Sequence, residues 1–297
     1  MLQTSSPALN RRQLLQGTSA ALAATLLTPA PLLAAPLPAQ PAMRLGLVTY
    51  QWGKDMNLKE VIATCEKSGV LGVELRTEHK HGVEPSLSKA ERAEVRKRFA
   101  DSPVELVGYG SNCEYHSDDP AKVQQNIEQT KAYIQLMHDC GASGVKVKPN
   151  GFSQGLTREK TIEQIGQALN AVAAYGQSYG QKIRVEVHGR GTSDLPVMRD
   201  IFKVADHPNA VVCWNSNDQD LEGAGLEANF QMVQDRLGDT VHIHELNQGT
   251  YPYTQLLKLF QQRDYAGWIL LECGSDPADK IQALIEQRQL FDKLLAG

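Results

Sequence analysis

From Met43 onward, short apolar runs alternate with longer segments whose apolar residues recur every three or four positions, and the alternation repeats eight times. The short runs suit strands and the longer ones amphipathic helices. The strand-like runs are Arg44–Thr49, Gly72–Arg76, Val104–Tyr109, Gly144–Lys148, Ile183–His188, Ala210–Asn215, Thr240–Glu245 and Gly267–Glu272. The helix-like segments are Leu58–Ser68, Lys89–Ala100, Ala121–Asp139, Thr157–Tyr179, Pro196–Ala205, Leu226–Leu237, Thr254–Arg263 and Asp279–Leu294. Asp119-Pro120 and Thr157 mark two helix starts, and Gly141 and Gly180 mark two ends. Eight strand–helix units in about 255 residues have the size and order of a (β/α)8 TIM barrel, a single α/β domain over residues 43–297. A doubly wound open sheet competes for this pattern. It wants a phosphate-binding glycine turn, and neither Gly46 nor Gly53 supplies the GxGxxG spacing.

Parallel strands buried on both faces read as nearly continuous apolar runs. Several of these do not, and their polar residues keep a period of two. Lys146 and Lys148 share one face of the fourth strand, and Arg184, Glu186 and His188 share one face of the fifth. His242 and His244 do the same on the seventh, Leu270 and Glu272 on the eighth, and Glu74 and Arg76 on the second. In a barrel the apolar set must face the helices, so the charged set faces the axis, with the C-terminal strand ends at the mouth. Isolated buried charges are costly, so Lys148, Glu186, His188, Asn215, His242, His244 and Glu272 read together as a polar site. Lys146 could equally serve to neutralise Glu186 or Glu74, and His188 could be a satisfied core histidine.

Residues 1–40 carry a different signal. Arg11 and Arg12 head an apolar stretch, Ala20–Ala35, followed by a small-residue and proline tract that runs to Ala42. This is the layout of a targeting segment, and the arginine pair resembles a bacterial twin-arginine export signal. Periplasmic or exported localisation follows, by a route that carries folded proteins and so suits one that acquires a metal or cofactor first. An uncleaved anchor is the alternative; Thr25, Thr28, Pro29 and Pro31 interrupt that span, and cleavage between Ala35 and Ala42 leaves no stable membrane insertion. The formal net charge of −4 and a pI near 6.1 argue against a nucleic-acid partner. Five widely spaced cysteines, an odd number, read as buried reduced thiols rather than a disulfide framework.

Two carboxylates, a histidine and an oxygen donor form a hard-ligand set for a divalent ion, with Mn, Mg, Zn and Co as candidates. Glu186, His242 and Glu272 are the best such donors. A metal there would stabilise an enediolate while a carboxylate removes the neighbouring proton. The order Glu186, Asn215, His242, Glu272 on strands five to eight resembles the xylose-isomerase-like barrel superfamily. That group includes sugar epimerases, keto-sugar isomerases, inosose dehydratases and endonucleases that cut at abasic sites, and the resemblance spans Met43 to Phe291. It implies that Glu186, Asn215, His242 and Glu272 hold the metal, and that Glu186 and Glu272 also form the acid–base pair. The endonuclease branch needs further histidines and aspartates that this chain lacks.

Two departures stand out. Asn215 replaces the aspartate expected on strand six and removes a charge; Asp218 either restores that charge from its loop or caps a turn. Lys146 and Lys148 place ammonium groups where a metal's charge would repel them. Lys148 could therefore take the metal's electrostatic role or act as base, and His188 stands beside it as a further candidate catalytic residue. Around the mouth, Trp52 and Trp214 offer flat faces for a sugar ring, although Trp214 reads better as packing. His79 follows strand two, Glu245 follows His242, and Arg190 lies on the loop after strand five, where it could cover an anionic group; these, with His244, Lys146, Trp52 and Asp218, are the substrate-binding candidates. The expected activity is a metal-dependent isomerase or epimerase of an unphosphorylated sugar or keto-sugar, with a homo-oligomer as the form common in such barrels. A lyase or hydratase on a keto-sugar or keto-glycoside and a catalytically reduced carbohydrate-binding protein are the alternatives.

Overall fold

All eight strands pair in parallel with their sequence neighbours, and the last pairs with the first to close the barrel. The structure, a computed structural model, describes residues 43–296; the segment read as an export signal lies outside the described residues. The strands are β1 Arg44–Val48, β2 Gly72–Arg76, β3 Glu105–Gly110, β4 Gly144–Val147, β5 Lys182–Glu186, β6 Ala210–Asn215, β7 Leu237–Ile243 and β8 Trp268–Leu271. The helices are α1 Leu58–Ser68, α2 Lys89–Ala100, α3 Pro120–Cys140, α4 Arg158–Ser178, α5 Leu195–Val204, α6 Leu226–Val233, α7 Tyr253–Gln261 and α8 Lys280–Leu295. Local signals set several boundaries. Asn57 and Ser88 form capping boxes with Glu60 and Glu91, Asp119 caps α3 ahead of its proline, and Gly69 and Gly141 end α1 and α3 in the left-handed region. Among the described residues no helix is long and apolar enough to cross a membrane. All five cysteines are buried and unpaired.

The period-two pattern sorts the faces as expected. Val145, Val147, Ile183, Val185, Val241, Ile243, Ile269 and Leu271 join the core between strands and helices. Inside the barrel, Val48, Val107, Trp268 and Leu270 form a separate apolar cluster. At its lower end Arg44 lies over the Trp268 ring at 4.0 Å, and the Trp268 indole donates to Glu105 at 3.3 Å.

The largest departure from the sequence pattern is at the α6–β7 junction. The helix stops at Val233, a 3-10 turn spans Gln234–Arg236, and β7 starts at Leu237 rather than Thr240. Leu237-Gly238-Asp239 is not an apolar run, but the barrel recruits it because Arg184 points inward. That guanidinium is 1% exposed and makes paired contacts of 3.0 Å to both Asp239 oxygens, with further bonds to the Val107 carbonyl and Ser143 Oγ. The flat arginine needs room, which Gly108 and Gly144 provide on the adjoining strands. A Cβ on Gly144 would lie 2.7 Å from Arg184 Cζ and 2.9 Å from the Lys182 carbonyl, so neither obstacle can be cleared by a rotamer change alone. Gly144→Ala should therefore cost about 1–3 kcal/mol and lower the melting temperature by several degrees, whereas Gly274→Ala, with nothing within 4 Å of the added Cβ, should leave it nearly unchanged; thermal unfolding followed by circular dichroism reads both.

Candidate active site

At the C-terminal end of the barrel, residues from β2, β4, β5, β6, β7 and the end of β8 converge. Glu186 closes β5 and is 1% exposed. Its Oε2 accepts from Lys146 Nζ at 2.6 Å and its Oε1 accepts from Asn215 Nδ2 at 2.9 Å. Glu272, just past β8, accepts through Oε1 from Arg76 Nη1 at 2.9 Å. Each carboxylate thus has one oxygen pinned by a cation. The other oxygens, Glu186 Oε1 and Glu272 Oε2, lie 3.4 and 3.3 Å from His242 Nδ1. On the far side of the ring, Nε2 is 3.2 Å from Glu74 Oε1.

Glu74 Oε1 faces Nε2 without an aligned hydrogen bond, since both Glu74 oxygens and both His242 ring nitrogens are buried and unpartnered; its charge favours a proton on Nε2 and leaves the Nδ1 lone pair for the site. A lone pair facing two carboxylate oxygens repels them unless a proton or a cation sits between. Burial opposes a charged imidazole, but Cys213, Glu74 and Glu272 outweigh it and hold His242 well above its ordinary range. Burial likewise pushes the Glu186 carboxyl up, yet Lys146 and His242 keep it well below the usual carboxylate value. Glu272 is lowered too: burial and Glu186 raise it, and His242 and Lys146 prevail. One ligand atom each from Glu186, His242 and Glu272 lies within 4.8 Å of the others. Donor pairs around an ion with bonds of about 2.0–2.2 Å sit roughly 3.0–3.5 Å apart, so this trio can hold a divalent cation. Asn215 turns its Nδ2 to Glu186 Oε1, and its Oδ1 is buried without a hydrogen-bond partner.

Above these donors opens a cavity of about 330 Å³, lined by Tyr50, Lys148, His188, Asn217, His244 and Gly274 among others. His244 bonds through Nδ1 to the Glu272 carbonyl at 3.1 Å. A carbonyl only accepts, so Nδ1 carries the proton and Nε2 remains an acceptor. His188 lines the same cavity with a buried, unpartnered Nδ1.

Other expectations are corrected. Lys146 binds Glu186, one of the two partners read for it, while Lys148, read as catalytic, stands on the cavity wall, its pKa lowered by burial and then by Lys146. Trp52 is buried in the core with its indole donating to Ser275 Oγ at 3.2 Å, since a flat ring gains more from core packing than from a polar mouth. Trp214 packs against Phe230, as its apolar setting implies. His79 leans on Thr49 Oγ1 outside the cavity. Arg190 is exposed on a turn whose flanking Gly189 and Gly191 have φ of 99° and 75°, and it does not reach the mouth. Asp218 is exposed; Asp220 is the acid that is buried there, accepting from the Asn217 amide at 3.0 Å. Glu245 accepts from the Gly274 and Ser275 amides at 3.3 and 2.8 Å and so fixes the loop that follows Glu272 instead of facing a ligand. Sequence reasoning placed Glu74 and Arg76 on the inner face but gave them no role, although the same alternation that found Glu186 marks them. Tyr50, whose ring lies 4.9 Å from the Arg76 guanidinium, had no such signal.

Residues 62–294 match the profile of a family described as xylose isomerase-like TIM barrel. No curated protein matches the chain by sequence. Among solved structures, the fold is similar to 3-keto-D-glucoside 4-epimerase YcjR from E. coli, with a TM-score of 0.72 and 14% identity over 85% of this chain and 100% of that one. It is similar also to an L-ribulose 3-epimerase (TM-score 0.75, 15% identity, 86% and 95% covered) and to the IolI protein with a bound zinc atom (TM-score 0.72, 15% identity, 86% and 98% covered). At these identities the likeness is one of fold.

Arg76 owes its position partly to His81. That buried ring bonds through Nε2 to the Arg76 carbonyl at 2.7 Å and accepts from the Val83 amide on Nδ1 at 3.0 Å, a pattern only a neutral imidazole can make. Burial lowers its pKa to about 4. A histidine depressed from 6.5 contributes stability above the unfolded value and loses it as pH falls toward 4. Between pH 7 and 4.5 the wild type should lose about 2 kcal/mol more than His81→Gln in urea unfolding.

Proposed function

The chain belongs to the xylose isomerase-like TIM barrel family, and on that premise we propose that it isomerises or epimerises a sugar or keto-sugar by removing a proton next to a carbonyl through an enediolate. The observation that carries this reading is the meeting of Glu186 Oε1, Glu272 Oε2 and His242 Nδ1 beneath a cavity of sugar size. The donors fit a divalent ion in number, hardness and spacing, and the buried Asn215 oxygen is without a partner. Glu186, Asn215, His242 and Glu272 would hold it, and it would supply positive charge to polarise substrate oxygens.

The protein's own groups carry the proton. Glu186 and Glu272 approach the site from separate strands, each with one oxygen held by Lys146 or Arg76 and one turned inward. One carboxylate takes the proton from the carbon beside the carbonyl, and the other returns one, to the opposite face in an epimerase or to the neighbouring carbon in an isomerase. Lys146 and Arg76 fix the two carboxylates, and Lys146 with His242 keeps them ionised, so little reorganisation is needed when the proton moves. His244 Nε2 accepts from a substrate hydroxyl, and Tyr50 walls the side near Arg76. Elimination of a β-substituent starts with the same proton removal, so a lyase is the variant reading. Residues 1–40 as an export signal would place this chemistry outside the cytoplasm.

Natively purified protein should hold close to one equivalent of divalent metal by elemental mass spectrometry, and Glu272→Gln should lower it at least tenfold. In D2O, wild type should exchange the proton next to the ketone of a keto-sugar, and Glu186→Gln and Glu272→Gln should each slow that exchange by about a thousandfold. Absence of both metal uptake and exchange across a panel of keto-sugars would remove this reading.

A further inference from the structure

One lysine of the mouth has no carboxylate partner. Lys146 answers Glu186 at 2.6 Å and Arg76 answers Glu272 at 2.9 Å. Lys148 lies two residues beyond Lys146 on the same face and lines the cavity. Among the described residues its ammonium has no carboxylate oxygen within 4.0 Å. It is half-buried, held near two other cations, and its neighbours in the chain are fixed: its own amide donates to the Cys113 carbonyl at 3.2 Å. A charge kept in that position without a partner costs free energy that an incoming anion would return. Its neighbour on the wall, His188, also has a buried ring nitrogen without a partner.

Neutral hydroxyls do not need this arrangement, because His244, Asn217 and Tyr50 already offer neutral polar contacts in the same cavity. Among the cavity's own side chains one ammonium is unpaired, which matches a carboxylate. A phosphate group, close to −2, would call for a second free cation, and Arg190 is not among the residues that line the cavity. A cavity of about 330 Å³ is at the small end for ligand sites and suits one sugar unit.

We propose that the ligand of this mouth is a sugar acid whose carboxylate pairs with Lys148 while its carbonyl and hydroxyl groups lie toward Glu186 and Glu272. The orientation rests on the enolising reading given above; the pairing itself requires no turnover. The test is isothermal titration of the full-length protein, with and without added Mn²⁺, using glucuronate, galacturonate, the parent neutral sugars and glucose 6-phosphate. Wild type should bind at least one uronate tenfold or more tightly than its neutral parent, and tighter than the phosphate ester. Lys148→Met, which keeps the aliphatic stem, should weaken uronate binding at least tenfold and change neutral-sugar binding less than twofold; Lys148→Arg should retain most of the preference. Equal affinity for acid and neutral sugars in the wild type, a preference for the phosphate ester, or equal weakening of all ligands in Lys148→Met would overturn the proposal. Deuterium exchange on neutral keto-sugars without any uronate preference would overturn it while leaving enolisation standing. A uronate preference lost in Lys148→Met, in a protein that exchanges no proton, would support the carboxylate site and remove enolisation.

Discussion

Lys146 and Glu186 meet at 2.6 Å with 1% and 2% of their side chains exposed, and the upper half of the barrel is arranged around that contact. Either charge alone in this position would cost several kcal/mol. Together they fix one oxygen of Glu186 and leave the other free to face His242, which in turn needs Glu74 behind it and Glu272 beside it. Arg76 then answers Glu272. The site is thus a closed chain of compensations in which no member can be changed without exposing its neighbour's charge. Because each carboxylate already has a cation, any metal bound here is held more by geometry than by net attraction, and Asn215 in place of an acid points the same way.

Much of this was legible in the sequence because a strand's side chains alternate strictly. Charged residues spaced by two within otherwise apolar runs, as in Arg184-Val185-Glu186, have only one buried place to go, the barrel axis. That rule set the fold, the inward face of each strand and the Glu186–His242–Glu272 grouping. It could not say whether Lys146 would neutralise Glu186 or Glu74, since both carboxylates face the axis. Nor could it show β7 starting early, because the pull comes from Arg184 on another strand and not from the local residues.

The loops were the least legible part, for a different physical reason. A strand residue has two directions open to it, whereas a loop residue's direction depends on contacts far off in the chain. Trp52 finds Ser275 across 223 positions, and Glu245 finds the amides of Gly274 and Ser275. Neither partner is visible from the residue's own neighbourhood. Arg190, read as reaching over the mouth, and Asp218, read either as restoring a charge or as capping a turn, are both exposed and outside the cavity lining.

The apolar cluster of Val48, Val107, Trp268 and Leu270 crosses the barrel interior below the charged residues, with Arg44 stacked under the indole. Among the described residues it closes the barrel interior beneath the cavity, so the chamber opens at the C-terminal ends of the strands. A ligand that enters over Tyr50 and His244 must leave the same way, and the converted molecule occupies the space the next one needs. Turnover in such a chamber is governed by exchange at one opening, and product at high concentration competes directly with substrate for the protein.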